Sequence, residues 1–80
     1  MELEILSPDK KIYSGKIKLV KLPGSKGSFE VLKNHAPIIS TLEKGEIKVI
    51  DMNDDIQRFE ITDGVVEVLE NRIIVLVGSV

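Results

Sequence analysis

His35 is the only histidine in this 80-residue chain, and it sits in the stretch Asn34-His35-Ala36-Pro37. A lone imidazole can act as a base, a metal ligand or a contact in a loop. A zinc site needs three or four ligands, and no cysteine or second histidine is present to join His35. A Ser-His-Asp arrangement can be written with Asp63 and one of Ser25, Ser28 or Ser40, but no Gly-x-Ser-x-Gly elbow supports it. The stretch Gly24-Ser-Lys-Gly-Ser28 looks like a phosphate-cradling loop. It lacks the Gly-Lys-Ser/Thr ending and a following helix, so an exposed β-turn is the better reading. The carboxylates form no clear pair: Asp54 and Asp55 read as turn residues, and Glu60, Glu67 and Glu70 as outward strand positions. The expectation is no catalytic, metal or cofactor site.

The elements that carry these residues read as strands. Glu2-Leu-Glu-Ile5 alternates, which sets Leu3 and Ile5 against Glu2 and Glu4. Lys16-Ile-Lys-Leu19 repeats the pattern with Ile17 and Leu19 inward, and Glu46-Ile-Lys-Val49 does so with Ile47 and Val49. Period two marks half-buried strands. No stretch shows a helical stripe. Turn residues recur at Ser7 to Asp9, Pro23 to Gly27, Asn34 to Pro37, Lys44-Gly45, Asn53 to Asp55, Asp63-Gly64 and Asn71. Short strands at this spacing with no helices between them predict an antiparallel sandwich or barrel. Parallel pairing needs long crossovers, and none is expected.

The last hairpin is apolar on both faces. Val66, Val68, Ile73, Val75 and Val77 share one side, and Val65, Leu69, Ile74 and Leu76 the other. A sheet in a two-layer sandwich has a single inner face. The second set therefore marks an interface, or a bulge shifts the strand phase and buries it.

Composition bounds the function. The hydrophobic fraction is 42%, that of a folded chain, and the net charge is −2. Residues 1–50 hold nine Lys against six acids, and residues 51–80 two Arg against seven acids. The lysines are dispersed and not interleaved with aromatics, so nucleic acid is not an expected partner. Met1 is not followed by a basic region and a long apolar run. The longest apolar run, Ile73 to Val77, is far short of the roughly 20 residues a membrane helix needs. Attachment to a membrane is expected only through a partner. A binding or scaffolding domain is the class that remains.

Several pieces in order carry a family resemblance. Ser14-Gly15, Gly24 to Gly27, Asn34-His-Ala-Pro37 and Leu42 to Gly45 come first. Asp63-Gly64 before Val66-Glu-Val68, and Asn71 to Leu76, complete the set over residues 2–77. Together they resemble the epsilon subunit of rotary F-type ATP synthases. The resemblance implies an all-β, antiparallel β-sandwich of about ten short strands, one domain over residues 1–80. It implies a non-catalytic rotor part of the central stalk. Such a part binds the gamma subunit and the membrane rotor ring and couples proton flow to ATP synthesis. It implies a place on the cytoplasmic face of the bacterial inner membrane. By the same resemblance, Ser25, Lys26, Gly27 and Ser28 face the ring, with the His35 loop nearby. Ser7, His35, Ser40 and Thr62 face gamma.

Asn34 stands where the family usually has Gly, and Asp63 replaces the first Gly of the usual pair. Both residue types accept positive φ. Family members commonly continue into a C-terminal helical hairpin that can inhibit hydrolysis and in some members binds ATP. A short form without the hairpin is expected, hence no nucleotide. The runner-up reading is a small ligand-binding β module, which would need exposed aromatics beyond Tyr13, Phe29 and Phe59. A hydrolase built on His35 and Asp63 comes third.

Overall fold

The computed structural model describes residues 1–78. The expected domain, residues 1–80, thus includes Ser79 and Val80, which lie outside the described residues. Eight strands follow one another without a helix among the described residues. They are β1 (Glu2–Leu6), β2 (Lys11–Leu22), β3 (Phe29–Leu32), β4 (Ile38–Leu42), β5 (Gly45–Asp51), β6 (Ile56–Ile61), β7 (Gly64–Leu69) and β8 (Arg72–Val77).

The alternation read from the chain decides which side chains turn inward. β1 buries Leu3 and Ile5, β5 buries Ile47 and Val49, and the last hairpin buries Val66, Val68, Ile73, Val75 and Val77. Fully burying such a side chain stabilises a fold by about 1.5–3 kcal/mol. The core is wholly apolar among the described residues.

β2 is the corner of the molecule. Its first half pairs antiparallel with β1. Its second half lies between β3 and β5. One sheet runs β4-β7-β8-β1-β2 and the other β3-β2-β5-β6. The register against β5 shifts between Ile17 and Leu19. This bulge reverses the phase of the strand, so Ile17, Val20 and Leu22 are buried while Leu19 is only half-buried. The inward placement read for Leu19 is corrected by that single extra residue.

Among the described residues the strands number eight, close to the expected count of about ten. One further expectation changes. β1 and β8 pair parallel, Leu3 beside Ile73 and Ile5 beside Val75, while the other strand pairs are antiparallel. A parallel pair needs a long connection. Here all six strands between β1 and β8 supply it.

The turns follow their residue types. Glu70 (φ 50°) and Asn71 (φ 62°) form the two-residue turn of the β7–β8 hairpin, the type I′ geometry that such hairpins favour. Glu70 is thus a turn residue and not a strand one. Asn34 has φ 66°, so it does take over the left-handed geometry open to glycine. Asp63 is not among the residues at positive φ. Its carboxylate instead accepts a hydrogen bond from the Gly78 amide at 3.2 Å and holds the end of β8.

Candidate functional site

The chemical readings fail on geometry. His35 precedes β4, whose first residue Ile38 pairs with Val68 near the end of β7. Asp63 precedes β7, whose first residue Gly64 pairs with Leu42 at the end of β4. The two therefore lie at opposite ends of the β4–β7 pair, and no His-Asp dyad forms. The His35 ring is engaged locally: its Nδ1 donates to the Ala36 carbonyl at 2.7 Å. Among the described residues no cluster of His, Asp or Glu could hold a metal ion.

The 24–28 loop is a turn and not a phosphate cradle. The Gly27 amide donates to the Gly24 carbonyl at 2.9 Å and the Ser25 amide to the Thr41 carbonyl at 3.0 Å. The Thr41 hydroxyl donates to the Ser25 hydroxyl at 2.9 Å. With those two amides used and β3 following, the loop presents no helix N-terminus to a ligand. A Cβ on Gly24 would lie 2.6 Å from the Gly27 carbonyl and 2.8 Å from the Phe29 ring, so the tight approach requires glycine. Ser25 to Ser28 are all exposed. The loop stands out as a polar knob at one end of the first sheet.

Between the two ends lies an apolar surface. The register stacks Thr41, Val65, Leu76 and Leu6 in one row across β4, β7, β8 and β1. Ile39, Glu67, Ile74 and Glu4 form the next row. Ile39 is 73% exposed, Leu76 53%, Leu69 51% and Val65 41%. The β7–β8 register runs without a bulge from Gly64–Val77 to Leu69–Arg72. Of the outward set of the last hairpin, Val65, Leu69 and Leu76 are therefore exposed and Ile74 is half-buried, in line with the first of the two readings of that hairpin. Ile39 was not singled out from the chain. Its signal was Ile38-Ile39, because two consecutive isoleucines on a strand cannot both point inward.

The expected contact residues distribute around this surface. Ser7 follows β1 at the Leu6–Leu76 end, and Thr62 precedes β7 at the Gly64–Val77 end. Both thus share an end with the 24–28 loop, which is tied to Thr41. Ser7 is half-buried, with its hydroxyl donating to the Lys10 carbonyl at 3.2 Å. Thr62 is exposed. Ser40 lies midway along the edge strand β4 opposite Val66, and its hydroxyl donates to the Thr41 carbonyl at 3.1 Å. His35 lies at the far end. There the Asn34 amide N–H donates to Asn71 Oδ1 at 2.6 Å and Asn71 Nδ2 donates to Asn34 Oδ1 at 3.1 Å. The His35 loop is thus clasped to the last hairpin, away from the 24–28 loop beside which it was expected.

Comparison with known proteins agrees with this architecture. A chain of the Euglena gracilis mitochondrial ATP synthase, in an OSCP/F1/c-ring assembly, superposes with a TM-score of 0.88 at 17% identity, covering 94% of this chain and 48% of that one. A chain of the Tetrahymena thermophila mitochondrial ATP synthase central stalk and c-ring gives 0.83 at 16% identity, covering 98% and 63%. At these identities the likeness is one of fold. In sequence, the ATP synthase epsilon chain of Sulfurimonas denitrificans is 43% identical over 77 residues, 96% of this chain and 59% of that one. That of Chlorobaculum tepidum is 37% identical over 78 residues, 98% of this chain and 89% of that one. The chain spans less than two thirds of the length of the first of these relatives and most of the second. All of residues 1–80 match the family described as the ATP synthase Delta/Epsilon chain beta-sandwich domain, and the chain belongs to that family.

Proposed function

We propose that this chain is a non-catalytic rotor subunit in the central stalk of a proton-translocating F-type ATP synthase. It works on the cytoplasmic face of the bacterial inner membrane and reaches the membrane only through the complex. The uncovered face bearing Ile39, Val65, Leu69 and Leu76 carries the reading, because large apolar side chains gathered on one sheet face mark a protein interface. That face binds the gamma subunit, flanked by Ser7 and Thr62 at one end, Ser40 along the edge and His35 at the other. The knob of Ser25, Lys26, Gly27 and Ser28 meets the polar loops of the rotor ring.

The mechanics follow from the fold. Torque must pass from the ring-facing knob to the gamma-facing surface without being absorbed by bending. The knob is hydrogen-bonded to β4, the edge strand of the gamma-facing sheet. A dry, close-packed interior is stiff and transmits displacement. The chain performs no bond chemistry, and neither a cofactor nor a nucleotide enters the reading.

The ligand-module alternative would need an exposed aromatic platform. Tyr13, Phe29 and Phe59 pack against the core instead, with Tyr13 and Phe59 edge to face at 5.8 Å between ring centroids. The test is reconstitution with gamma subunit and ring. Leu76→Glu should abolish recovery of the gamma complex while leaving the melting temperature of the free chain nearly unchanged. Retention of gamma by that variant would reject the assignment of this face.

A further inference from the structure

The rotor reading makes no use of β6. Among the described residues this strand pairs with β5 alone, so its other edge is open. The Asp51 amide donates to the Asp55 carbonyl at 3.0 Å, which makes Ile50–Ile56 a non-hydrogen-bonded pair of the antiparallel ladder. The register then runs without a bulge, so Gln57, Phe59 and Ile61 turn their backbone groups to β5. Ile56, Arg58 and Glu60 turn theirs to the open edge, and all three residues are exposed. A row of unpaired N–H and C=O groups is a template for another strand. Neither a proline nor a bulge blunts this one. Its charges stand like against like: Arg58 opposite Lys48, and Glu60 opposite Glu46. Such pairs cost stability. The Arg58–Glu46 ion pair at 3.4 Å joins the two rows only on the diagonal. Further in, Lys21 stands between Lys48 and Glu30, so that end of the cationic row is answered. At the β6 end both rows stop at the open edge.

We propose that β6 pairs antiparallel with β6 of a second copy of this chain, about a two-fold axis at Phe59. Hydrogen bonds across the edge form between residues that both turn their backbone groups to it. Registers centred on Arg58, Phe59 or Glu60 all satisfy that condition. Centring on Arg58 sets that cation against itself, and centring on Glu60 does the same to its carboxylate. Centring on Phe59 makes Arg58 of each copy the hydrogen-bonded partner of Glu60 in the other. The Lys48–Arg58 row of one copy then runs on into the Glu60–Glu46 row of the second. Each like-charged pair meets a pair of opposite sign, and the two-fold axis supplies that match twice. Charged side chains commonly protect an edge strand from pairing. Here one cation and one anion, two residues apart on the same face, make the edge complementary to itself. A strand from another protein could use the same backbone groups, but this charge order selects a second copy. The surface assigned to gamma belongs to the other sheet and takes no part.

The test is sedimentation of the full chain at up to about 1 mM, where weak pairing through a small interface is populated. A monomer–dimer equilibrium that weakens with added salt is expected. Arg58→Glu should lower the association constant about tenfold or more, because it sets carboxylate against carboxylate. Glu60→Arg should do the same with cations. An equimolar mixture of the two variants should dimerise again, and so should a chain carrying both changes. That rescue separates lost pairing from lost folding, and thermal melts of each variant check the fold directly. In hydrogen exchange the Arg58 and Glu60 amides should gain protection as concentration rises, whereas the Phe59 amide is protected already in the monomer. A chain that stays monomeric throughout overturns the proposal. So does a dimer that Arg58→Glu leaves intact, or folded variants whose mixture fails to associate. A dimer lost in Leu76→Glu instead, or protection gained along β4 and not β6, overturns it as well. Gamma recovery is read from the other sheet and stands or falls separately.

Discussion

Asn34 and Asn71 show how much one pair of amides can position. Both sit at positive φ, and each accepts a hydrogen bond from the other. Asn71→Ala removes the clasp and places an ordinary side chain in left-handed backbone. It should cost about 1–3 kcal/mol in denaturant melts. Asn71→Gly removes the hydrogen bonds but keeps the backbone at ease, so it should cost less, and the difference measures the backbone share. Both should weaken gamma binding by releasing the His35 loop. Tyr13 offers a second check. Burial first, and then the charge of Asp51, raises its phenol above the ordinary 10.0. The unfolded chain therefore loses that proton at lower pH than the folded one. Stability is unaffected by this group below pH 10 and falls as pH rises beyond it. Tyr13→Phe should remove that part of the alkaline decline in thermal melts. From the chain alone, Asn34 was legible as a glycine substitute because its side chain tolerates the same φ. The hydrogen bond that Asp63 makes to Gly78 was not, because it joins residues whose proximity depends on strand pairing.

The β7–β8 hairpin presents a buried apolar face and an exposed one within one element. Ile73 is fully buried, and Leu76 is 53% exposed three residues later. Ile73→Ala should cost about 2–5 kcal/mol by removing core volume. Leu76→Ala should stay within about 0.5 kcal/mol, as surface changes do. Denaturant melts of the two variants, read beside gamma recovery, should therefore show opposite patterns. Both faces of this hairpin could be read from the sequence, because alternation is a local property of strand geometry. The bulge in β2 could not. Lys16-Ile-Lys-Leu19 alternates perfectly, and only pairing with β5 reveals that Leu19 has slipped out of phase.

At the scale of the molecule, the parallel pairing of β1 with β8 is the main constraint. It joins the first strand to the last and places β1 in the middle of its sheet, between β8 and β2. Such non-local pairing is slow to form, so refolding should fall in the millisecond-to-second range by stopped-flow. Deleting residues 2–6 would leave β8 and the first half of β2 without the strand between them. The cooperative thermal transition should then be lost in circular dichroism. Retention of a sharp transition would show that the other sheet holds the fold alone.

The sequence by itself determined the strands, their inward faces apart from the β2 bulge, most of the turns and the family resemblance. Each of these rests on residue type and short spacing, which act along a few neighbouring residues. Tertiary structure alone decided which loops share an end. It separated His35 from Asp63, drew Ser7, Thr62 and the 24–28 loop together, and aligned Lys21, Lys48 and Arg58 in one row. Those relations depend on which strand pairs with which and in what register. Pairing is set by the joint burial of side chains far apart in the chain, and no local pattern encodes it.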